Sequence, residues 1–274
     1  MADPHGEPQL TERSDLLAAE DPLGIRVAGQ ALTMTMRTPG DDIELAAGFL
    51  VGEGIVRSAD DIASIKVCDG TSCGHAGHDG TGNIVDVELR PGLAVTPALR
   101  RNFMTTSACG VCGKASTAEL FVSRSVDINQ DHAVIPAGRL TSMPDALRAA
   151  QRVFASTGGL HAAGVFGPDG GLLAVREDVG RHNAVDKVVG WALGQGRLPM
   201  RGCVLLVSGR ASFELVQKAV LAGFPVLAAV SAPSSLAADL AAEAGLTLVG
   251  FLRGESMNVY THGDRVLTRA PAAR

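Results

Sequence analysis

Cys109 and Cys112 are the residues of this sequence whose type and spacing most clearly suggest chemistry. They lie in the run Thr-Thr-Ser-Ala-Cys-Gly-Val-Cys-Gly-Lys, which ends at Lys114. Gly and small polar residues without apolar periodicity favour loops, so we expect a mobile loop over 105–116. Arg101 and Lys114 add positive charge nearby, and positive charge favours the reactive thiolate.

The Cys-x-x-Cys spacing alone leaves three kinds of chemistry open. Half of a zinc site would need two further ligands. A thioredoxin-like redox pair would need a strand before the motif and a helix that starts at it. A persulfide carrier would use one thiolate as the nucleophile and the loop as a mobile arm. Two structural cysteines in a surface turn are the alternative without chemistry.

A second group of possible metal ligands precedes this loop. Cys68, Cys73, His75 and His78 fall within one Gly-rich segment. Their spacing is irregular compared with that of zinc knuckles. We therefore expect a polar loop in which these residues are incidental, and no bound metal.

The composition excludes several classes of protein. The chain has 274 residues, 46% of them apolar, and a formal net charge of −5, which argues against a nucleic-acid-binding surface. No run predicts a membrane span, and the polar N-terminus does not resemble a signal peptide. The five cysteines are an odd number, which together with the missing signal predicts reduced thiols and a cytoplasmic location.

The N-terminal part predicts a smaller α+β domain over 23–139, after a disordered tail over 1–22. Alternating polarity predicts a strand or hairpin over 25–36, and apolar residues at helical spacing predict a helix over 43–50. Glu44 fits an exposed acid on that helix. Further strands are expected at 61–67, 84–89 and 120–128.

Residues 140–274 predict a separate α/β domain. Ser142 as an N-cap predicts a helix that ends near Gly158. A hairpin signal follows at 160–176 and a helix signal begins near Asn183. Unbroken apolar strands are expected at 203–207, 225–230 and 246–251, separated by helices that start at Ser212 and at Ser234 or Ser235. This alternation implies a mostly parallel sheet covered by helices on both faces, in three layers.

Polar residues follow each of these three parallel strands. They are Ser208 and Arg210, Ser231, and Arg253. Ligands of open α/β sheets gather at the carboxyl ends of the strands, and helix N-termini there favour anions. Arg181, His182 and Lys187 would add to this edge if their helix lies beside it. We therefore expect a phosphate-bearing ligand.

His161 has two interpretations. The zinc deaminase signature requires His-x-Glu followed by Pro-Cys-x-x-Cys. Here Ala163 stands where the Glu is required, and no Pro-Cys-x-x-Cys follows. His161 therefore either lines the ligand pocket or is a buried structural histidine.

Six stretches, in order, resemble one known family. They begin at Arg37 (Arg-Thr-Pro-Gly-Asp-Asp-Ile-Glu-Leu), Thr105 (the Cys loop), Thr157 (Thr-Gly-Gly-Leu-His-Ala-Ala), Glu177 (Glu-Asp-Val-Gly-Arg-His-Asn-Ala-Val-Asp-Lys), Ser208 (Ser-Gly-Arg-Ala-Ser-Phe-Glu) and Ser231 (Ser-Ala-Pro, with Gly-Phe-Leu-Arg from Gly250). Together they are similar to the formate dehydrogenase accessory sulfurtransferases, the FdhD family, over roughly 25–262.

The resemblance implies a C-terminal domain with a cytidine-deaminase-like fold and a homodimeric protein. It implies that sulfur is taken as a persulfide from a cysteine desulfurase. The acceptor is the molybdenum bis(guanine dinucleotide) cofactor of formate dehydrogenase, of which GDP is a mimic. The sulfur-carrying pair maps onto Cys109 and Cys112. The cofactor-binding stretch maps onto Phe251, Leu252, Arg253, Gly254, Glu255 and Ser256, where Glu255 and Ser256 replace a second basic residue of many members.

Two other functions remain open at this point. A thiol–disulfide oxidoreductase would need a strand-to-helix context for Cys109, and the sequence predicts a loop. A non-catalytic chaperone of the guanine dinucleotide cofactor would bind the ligand without carrying sulfur.

Overall fold

The structure, a computed structural model, describes residues 12–68, 83–95 and 126–268. Outside these ranges lie the predicted loop over 105–116 with Cys109 and Cys112, and most of the strand expected at 120–128. The same holds for Cys73, His75 and His78. The strands are β1 (Asp21–Val27), β2 (Gln30–Arg37), β3 (Ile62–Cys68), β4 (Ile84–Leu89), β5 (Ile135–Pro136), β6 (His161–Phe166), β7 (Leu172–Asp178), β8 (Val204–Val207), β9 (Val226–Ala229), β10 (Thr247–Arg253), β11 (Ser256–Thr261) and β12 (Val266–Leu267). The helices are α1 (Asp42–Gly52), α2 (Ala137–Ala150), α3 (Arg152–Thr157), α4 (Arg181–Gly194), α5 (Phe213–Leu221) and α6 (Ser235–Ala244).

The first sheet has four strands in the order β2-β1-β4-β3. β1 and β2 form the hairpin that the alternation predicts, and β3 and β4 pair antiparallel. β1 and β4 pair parallel. The apolar face of this sheet is fully buried at Leu23, Ile25, Val85 and Val87, and α1 contacts it through β3 and β4.

The second sheet has six strands in the order β11-β10-β9-β8-β6-β7. β8, β9 and β10 pair parallel, as the strand–helix alternation predicts. β6 and β7 form the predicted hairpin and run antiparallel to β8. β11, which the sequence analysis missed, pairs antiparallel with β10. The sheet is therefore parallel at its centre and antiparallel on both sides.

Helices cover both faces of the second sheet, which gives the three layers that the sequence predicts. Apolar residues of α4, α5 and α6 share one core with β8 and β9. Residues of α2, among them Leu140, Met143 and Leu147, form a second core on the other face. The central strands are completely buried, as expected for strands that are covered on both faces. In the described part of the chain, no helix is both long enough and apolar enough to cross a membrane.

Two predicted helix starts have different outcomes. Ser234 caps α6, because its side chain accepts a hydrogen bond from the backbone N–H of Ala237 at 3.3 Å. The cap at Ser142 is wrong, since α2 already begins at Ala137 and the Ser142 hydroxyl donates to the carbonyl of Arg139 at 2.9 Å. Residue 140, the predicted domain boundary, falls inside α2.

Helix α1 connects the two sheets by crossing α4 at very close range. A Cβ at Gly48 would overlap the carbonyl oxygen of Asp186, and a Cβ at Gly190 would overlap the carbonyl oxygen of Glu44. Only glycine allows two backbones to approach so closely. The buried residues of α1, the first sheet and α4 belong to one continuous apolar core that reaches the second sheet.

Glu44 is not the exposed acid that the sequence predicts. Its two carboxylate oxygens accept hydrogen bonds of 2.6 and 2.8 Å from the guanidinium of Arg176 on β7. Bidentate pairs of this kind hold both groups in a fixed geometry. The pair therefore fixes α1 against the outer strand of the second sheet.

Candidate functional site

Five strands of the second sheet place the predicted ligand residues at one edge. β7, β8, β9 and β10 end there, and β6 begins there with His161. Ser231 connects three of these ends, because its N–H donates to the carbonyl of Gly209 at 3.3 Å and its carbonyl accepts from the N–H of Phe251 at 3.1 Å. The shared edge that the strand–helix pattern predicts is therefore present.

Ser208 and Arg210 occupy this edge in different ways. The Ser208 side-chain oxygen accepts a hydrogen bond from the N–H of Ala162 at 2.9 Å, which holds the start of β6 against the end of β8. Arg210, two residues further on, is exposed. Ser208 therefore shapes the edge, and Arg210 offers a guanidinium to a ligand in solution.

Three helices begin at the same edge, since α4 follows β7, α5 follows β8 and α6 follows β9. Ser234 caps α6. Within the described ranges no side chain caps α4 or α5, although Ser212 stands at the N-cap of α5. Free N–H groups at a helix start carry partial positive charge and favour anions.

His161 lies at the start of β6 with a neutral imidazole. A Cβ at Gly209 would come within 3.4 Å of its Nδ1 atom, so the ring lies directly against the loop after β8. Burial lowers the pKa of His161 below its usual 6.5, and the nearby charges of Arg181 and His182 lower it further. His161 is therefore a neutral hydrogen-bonding group at neutral pH.

His182 lies in the first turn of α4 and faces the start of α5. Its Nε2 atom is 3.3 Å from the Ser212 hydroxyl oxygen and 3.5 Å from Glu214 Oε2. His182 was predicted at this edge, whereas Ser212 and Glu214 were not predicted as site residues. A usable signal was present, namely a carboxylate in the first turn of a helix that starts at the ligand edge.

Lys187 was predicted to add to the edge, but its side chain lies elsewhere. It is 1% exposed, and its Nζ atom lies 2.8 Å from Asp178 Oδ2 and 2.8 Å from the carbonyl oxygen of Thr38. The N–H of Thr38 also donates to Asp178 at 3.1 Å, and so does the side-chain amide of Asn183 at 3.0 Å. A buried ion pair with this many hydrogen bonds fixes the start of α4 against the turn after β2.

The stretch predicted to bind the cofactor ends β10. Phe251 has a φ of 51°, in the left-handed region, and backbone strain of this kind in a bulky residue gathers at functional sites. Arg253, Gly254, Glu255 and Ser256 are exposed. Leu252 is different, because its side chain is fully buried in the core beneath the sheet and cannot line the edge.

The two cysteines in the described residues are not at this edge. Cys68, at the end of β3, is disulfide-bonded, so the expectation of reduced thiols is wrong for this residue. Cys203 precedes β8 at the opposite edge of the second sheet and is a free thiol. The described residues contain no group of three or more His, Cys, Asp or Glu side chains arranged to hold a metal ion.

The family model described as the FdhD/NarQ family matches residues 18–267. This chain belongs to the FdhD/NarQ family. The resemblance drawn from six stretches is therefore confirmed, and the stretches among them that the structure describes form the sheet edge and the contacts that hold α1 and α4 beside it.

Relatives from several bacteria carry the name sulfur carrier protein FdhD. The protein of Mycolicibacterium paratuberculosis is 58% identical over 260 residues, which covers 94% of each chain. That of Mycobacterium tuberculosis is 56% identical over 259 residues, also 94% of each. That of Streptomyces avermitilis is 57% identical over 267 residues, which covers 97% of this chain and 94% of the relative.

A solved structure supports the fold of this FdhD/NarQ family member. It is the crystal structure of a candidate formate dehydrogenase accessory protein from Desulfotalea psychrophila, with a TM-score of 0.70 and 26% identity. The match covers 92% of this chain and 91% of that one. The α/β fold class predicted from the sequence is therefore confirmed.

Proposed function

We propose that this chain is a sulfur carrier for formate dehydrogenase. It takes persulfide sulfur from a cysteine desulfurase and passes it to the molybdenum bis(guanine dinucleotide) cofactor. The names of its relatives support the sulfur-carrying role. The observation that supports binding of the acceptor cofactor is the sheet edge, where Arg181, His161 and His182 lie beside two helix starts without a side-chain cap. Such an edge favours a phosphate-bearing ligand.

The sulfur-carrying step is assigned to Cys109, with Cys112 assisting, on the basis of the sequence and the family resemblance. The Cys109 thiolate attacks the outer sulfur of the desulfurase persulfide, and the desulfurase cysteine leaves as a thiolate. The sulfur then travels on Cys109 as a persulfide. A thiolate is needed for this step, and the nearby Arg101 and Lys114 favour one.

The cofactor is the cargo, and its guanine nucleotide halves supply the phosphates that would occupy the edge. Arg181 is the first residue of α4, Arg210 lies two residues before the N-cap of α5, and Arg253 ends β10. The Arg253 guanidinium lies 5.8 Å from the centre of the Phe251 ring, so both side chains lie on the same side of the turn. We propose that Phe251 and Arg253 contact the nucleotide together.

We also propose that the protein acts in the cytoplasm as a homodimer, with a cysteine desulfurase and formate dehydrogenase as its partners. Light scattering gives the mass of the particle in solution, and a mass of one chain at working concentration would contradict the dimer. Co-purification with tagged formate dehydrogenase tests the second partner.

GDP binding tests the ligand site. At about a hundred times its dissociation constant, GDP should stabilise the folded chain by roughly 2.7 kcal/mol, measured as a thermal shift. Arg253→Ala should weaken binding by about 1.5–3 kcal/mol, because it removes a charge-assisted contact. Arg139→Ala is the matched control, since Arg139 is exposed near the turn between β6 and β7, away from this edge. No shift with GDP would reject the nucleotide site.

Two assays separate the sulfur carrier from the alternative functions. A thiol–disulfide oxidoreductase would reduce insulin with dithiothreitol, and a sulfur carrier would not. A cofactor chaperone without sulfur chemistry would bind GDP yet gain no sulfur atom from a desulfurase supplied with cysteine. Mass spectrometry of the chain after that incubation therefore distinguishes the chaperone from the carrier.

A further inference from the structure

The imidazole of His182 is held from one side by the first turn of the neighbouring helix α5. Nε2 lies 3.3 Å from the Ser212 hydroxyl oxygen and 3.5 Å from Glu214 Oε2. Among the described residues no hydrogen bond is made by the other ring nitrogen, Nδ1. The ring therefore has one nitrogen fixed by protein and one that remains available to a ligand.

Glu214 is a hydrogen-bond acceptor under all ordinary conditions. Burial raises the pKa of Glu214, but hydrogen bonds with His182 and Ser212 outweigh burial and bring the pKa to about 2. A carboxylate that stays ionised can only accept hydrogen bonds. It therefore keeps a proton on Nε2 of His182, and a second proton on Nδ1 would give the ring a positive charge that the carboxylate balances.

The frame around this pair is rigid. One helical turn further along, Lys218 of α5 donates to both carboxylate oxygens of Asp186 on α4, at 2.7 and 2.9 Å. Both residues are buried. α4 and α5 are thus locked together directly behind His182 and Glu214, so the two side chains keep their relative position.

The positions of the Ser212 and Glu214 side chains cost local stability, which argues against a purely structural role. Ser is among the best helix N-cap residues, yet the Ser212 side chain makes no cap bond and lies beside His182 instead. Glu214 Oε1 is buried without a hydrogen-bond partner among the described residues, and an unsatisfied buried acceptor is costly. Local departures from stability of this kind gather at functional sites.

We propose that Glu214 is a positioning residue of the nucleotide site: it accepts from Nε2–H of His182 and balances the charge of the ring when a protonated Nδ1 donates to a phosphate group of the ligand. The inference rests on the proposed function, because it takes the ligand to be a guanine nucleotide. Arg181 and His161 lie beside His182 and would surround the same phosphate. Glu214 itself does not touch the ligand.

Calorimetric titration with two probes, GDP and guanosine, tests this role. Glu214→Gln keeps the shape of the side chain but removes its charge, and we expect it to weaken GDP binding roughly tenfold. Guanosine has no phosphate, so its affinity should not change. His182→Gln should weaken GDP binding at least as much, and the double variant should be no weaker than His182→Gln alone. Glu243→Gln, on the exposed end of α6, is the control and should bind like the wild type.

The nitrogen-15 spectrum of the His182 side chain gives a second readout that a structural role would not move. In the GDP complex of the wild type both ring nitrogens should carry a proton, and in the complex of Glu214→Gln the ring should carry only one. Equal losses for GDP and guanosine, additive effects in the double variant, or the same protonation of the ring in both complexes would each overturn the positioning role. If the wild-type chain binds no GDP, the proposed nucleotide site is wrong. If the wild type binds GDP and Glu214→Gln binds it equally well, only the proposed role of Glu214 is wrong.

Discussion

At the scale of single residues, the protonation of His161 depends on its burial and on its charged neighbours at the sheet edge. Burial and the nearby Arg181 lower its pKa from 6.5, so protonation favours the unfolded chain. This histidine therefore contributes fully to stability above about pH 6.5, and the contribution is lost as the pH falls below that value. Arg181→Gln should raise the pKa of His161 towards 6.5, measured by NMR titration. An unchanged titration curve would show that Arg181 does not act on His161, and Arg253→Gln should leave the curve unaltered.

The buried pair Asp186 and Lys218 supports a second prediction. Burial raises the pKa of Asp186 from 3.8 to about 6, although the ammonium of Lys218 opposes this rise. Lys218→Met would leave the carboxylate without its partner, which should cost about 3–5 kcal/mol. The pKa of Asp186 would then rise further, so the loss should be largest above about pH 6 and smaller at pH 5, where the carboxyl takes up a proton. Urea unfolding at both pH values measures the difference, and a loss that is equal at both would contradict it.

At the scale of elements, the crossing of α1 and α4 depends on two glycines. Gly48→Ala should destabilise the chain by several kcal/mol, because the new methyl group overlaps the backbone of α4 and the helices must separate. Gly194→Ala is the matched control at the end of α4. A Cβ there meets nothing within 4 Å, so alanine should stabilise by up to about 1 kcal/mol through its helix propensity. Thermal unfolding compares the variants, and a Gly48→Ala chain as stable as the wild type would disprove the close crossing.

The same elements show what the sequence could and could not predict. The parallel strands were predictable because they are short, apolar and separated by helices, of which α6 begins at its predicted cap Ser234. Ser142 satisfies the same rule, yet it lies inside α2, because the apolar contacts of Leu140 and Met143 begin the helix earlier. β11 alternates poorly and is mostly exposed, so its pairing with β10 left little apolar signal.

Charges that are paired inside the fold were the second limit of prediction. Lys187 and Glu44 are residue types that are usually exposed, and only the tertiary structure supplies their partners Asp178 and Arg176. The candidate edge itself was predictable, since the carboxyl ends of parallel strands must meet. The pairing of His182 with Glu214 was not, because it depends on how closely two helices lie.

At the scale of the whole molecule, the position of the transferred sulfur decides between this proposal and its alternatives. Cys203 is a built-in comparison within the described residues, since it is 7% exposed and burial raises the pKa of its thiol. A thiol of this kind is a poor nucleophile at neutral pH. We therefore expect that Cys203→Ser gains sulfur like the wild type when incubated with a desulfurase and cysteine, whereas Cys109→Ser gains none and fails to activate formate dehydrogenase.

Peptide mapping by mass spectrometry locates the added sulfur atom. Cys109→Ser should still bind GDP like the wild type, because the sheet edge is built from other residues, and this control separates a lost carrier from a misfolded chain. Cys112→Ser shows whether the sulfur is relayed between the two thiols: full loading without client activation means a relay, and full activation means that Cys109 delivers the sulfur itself. Sulfur found on Cys203, or full activation by Cys109→Ser, would overturn the mechanism, since neither result is possible if Cys109 is the required carrier.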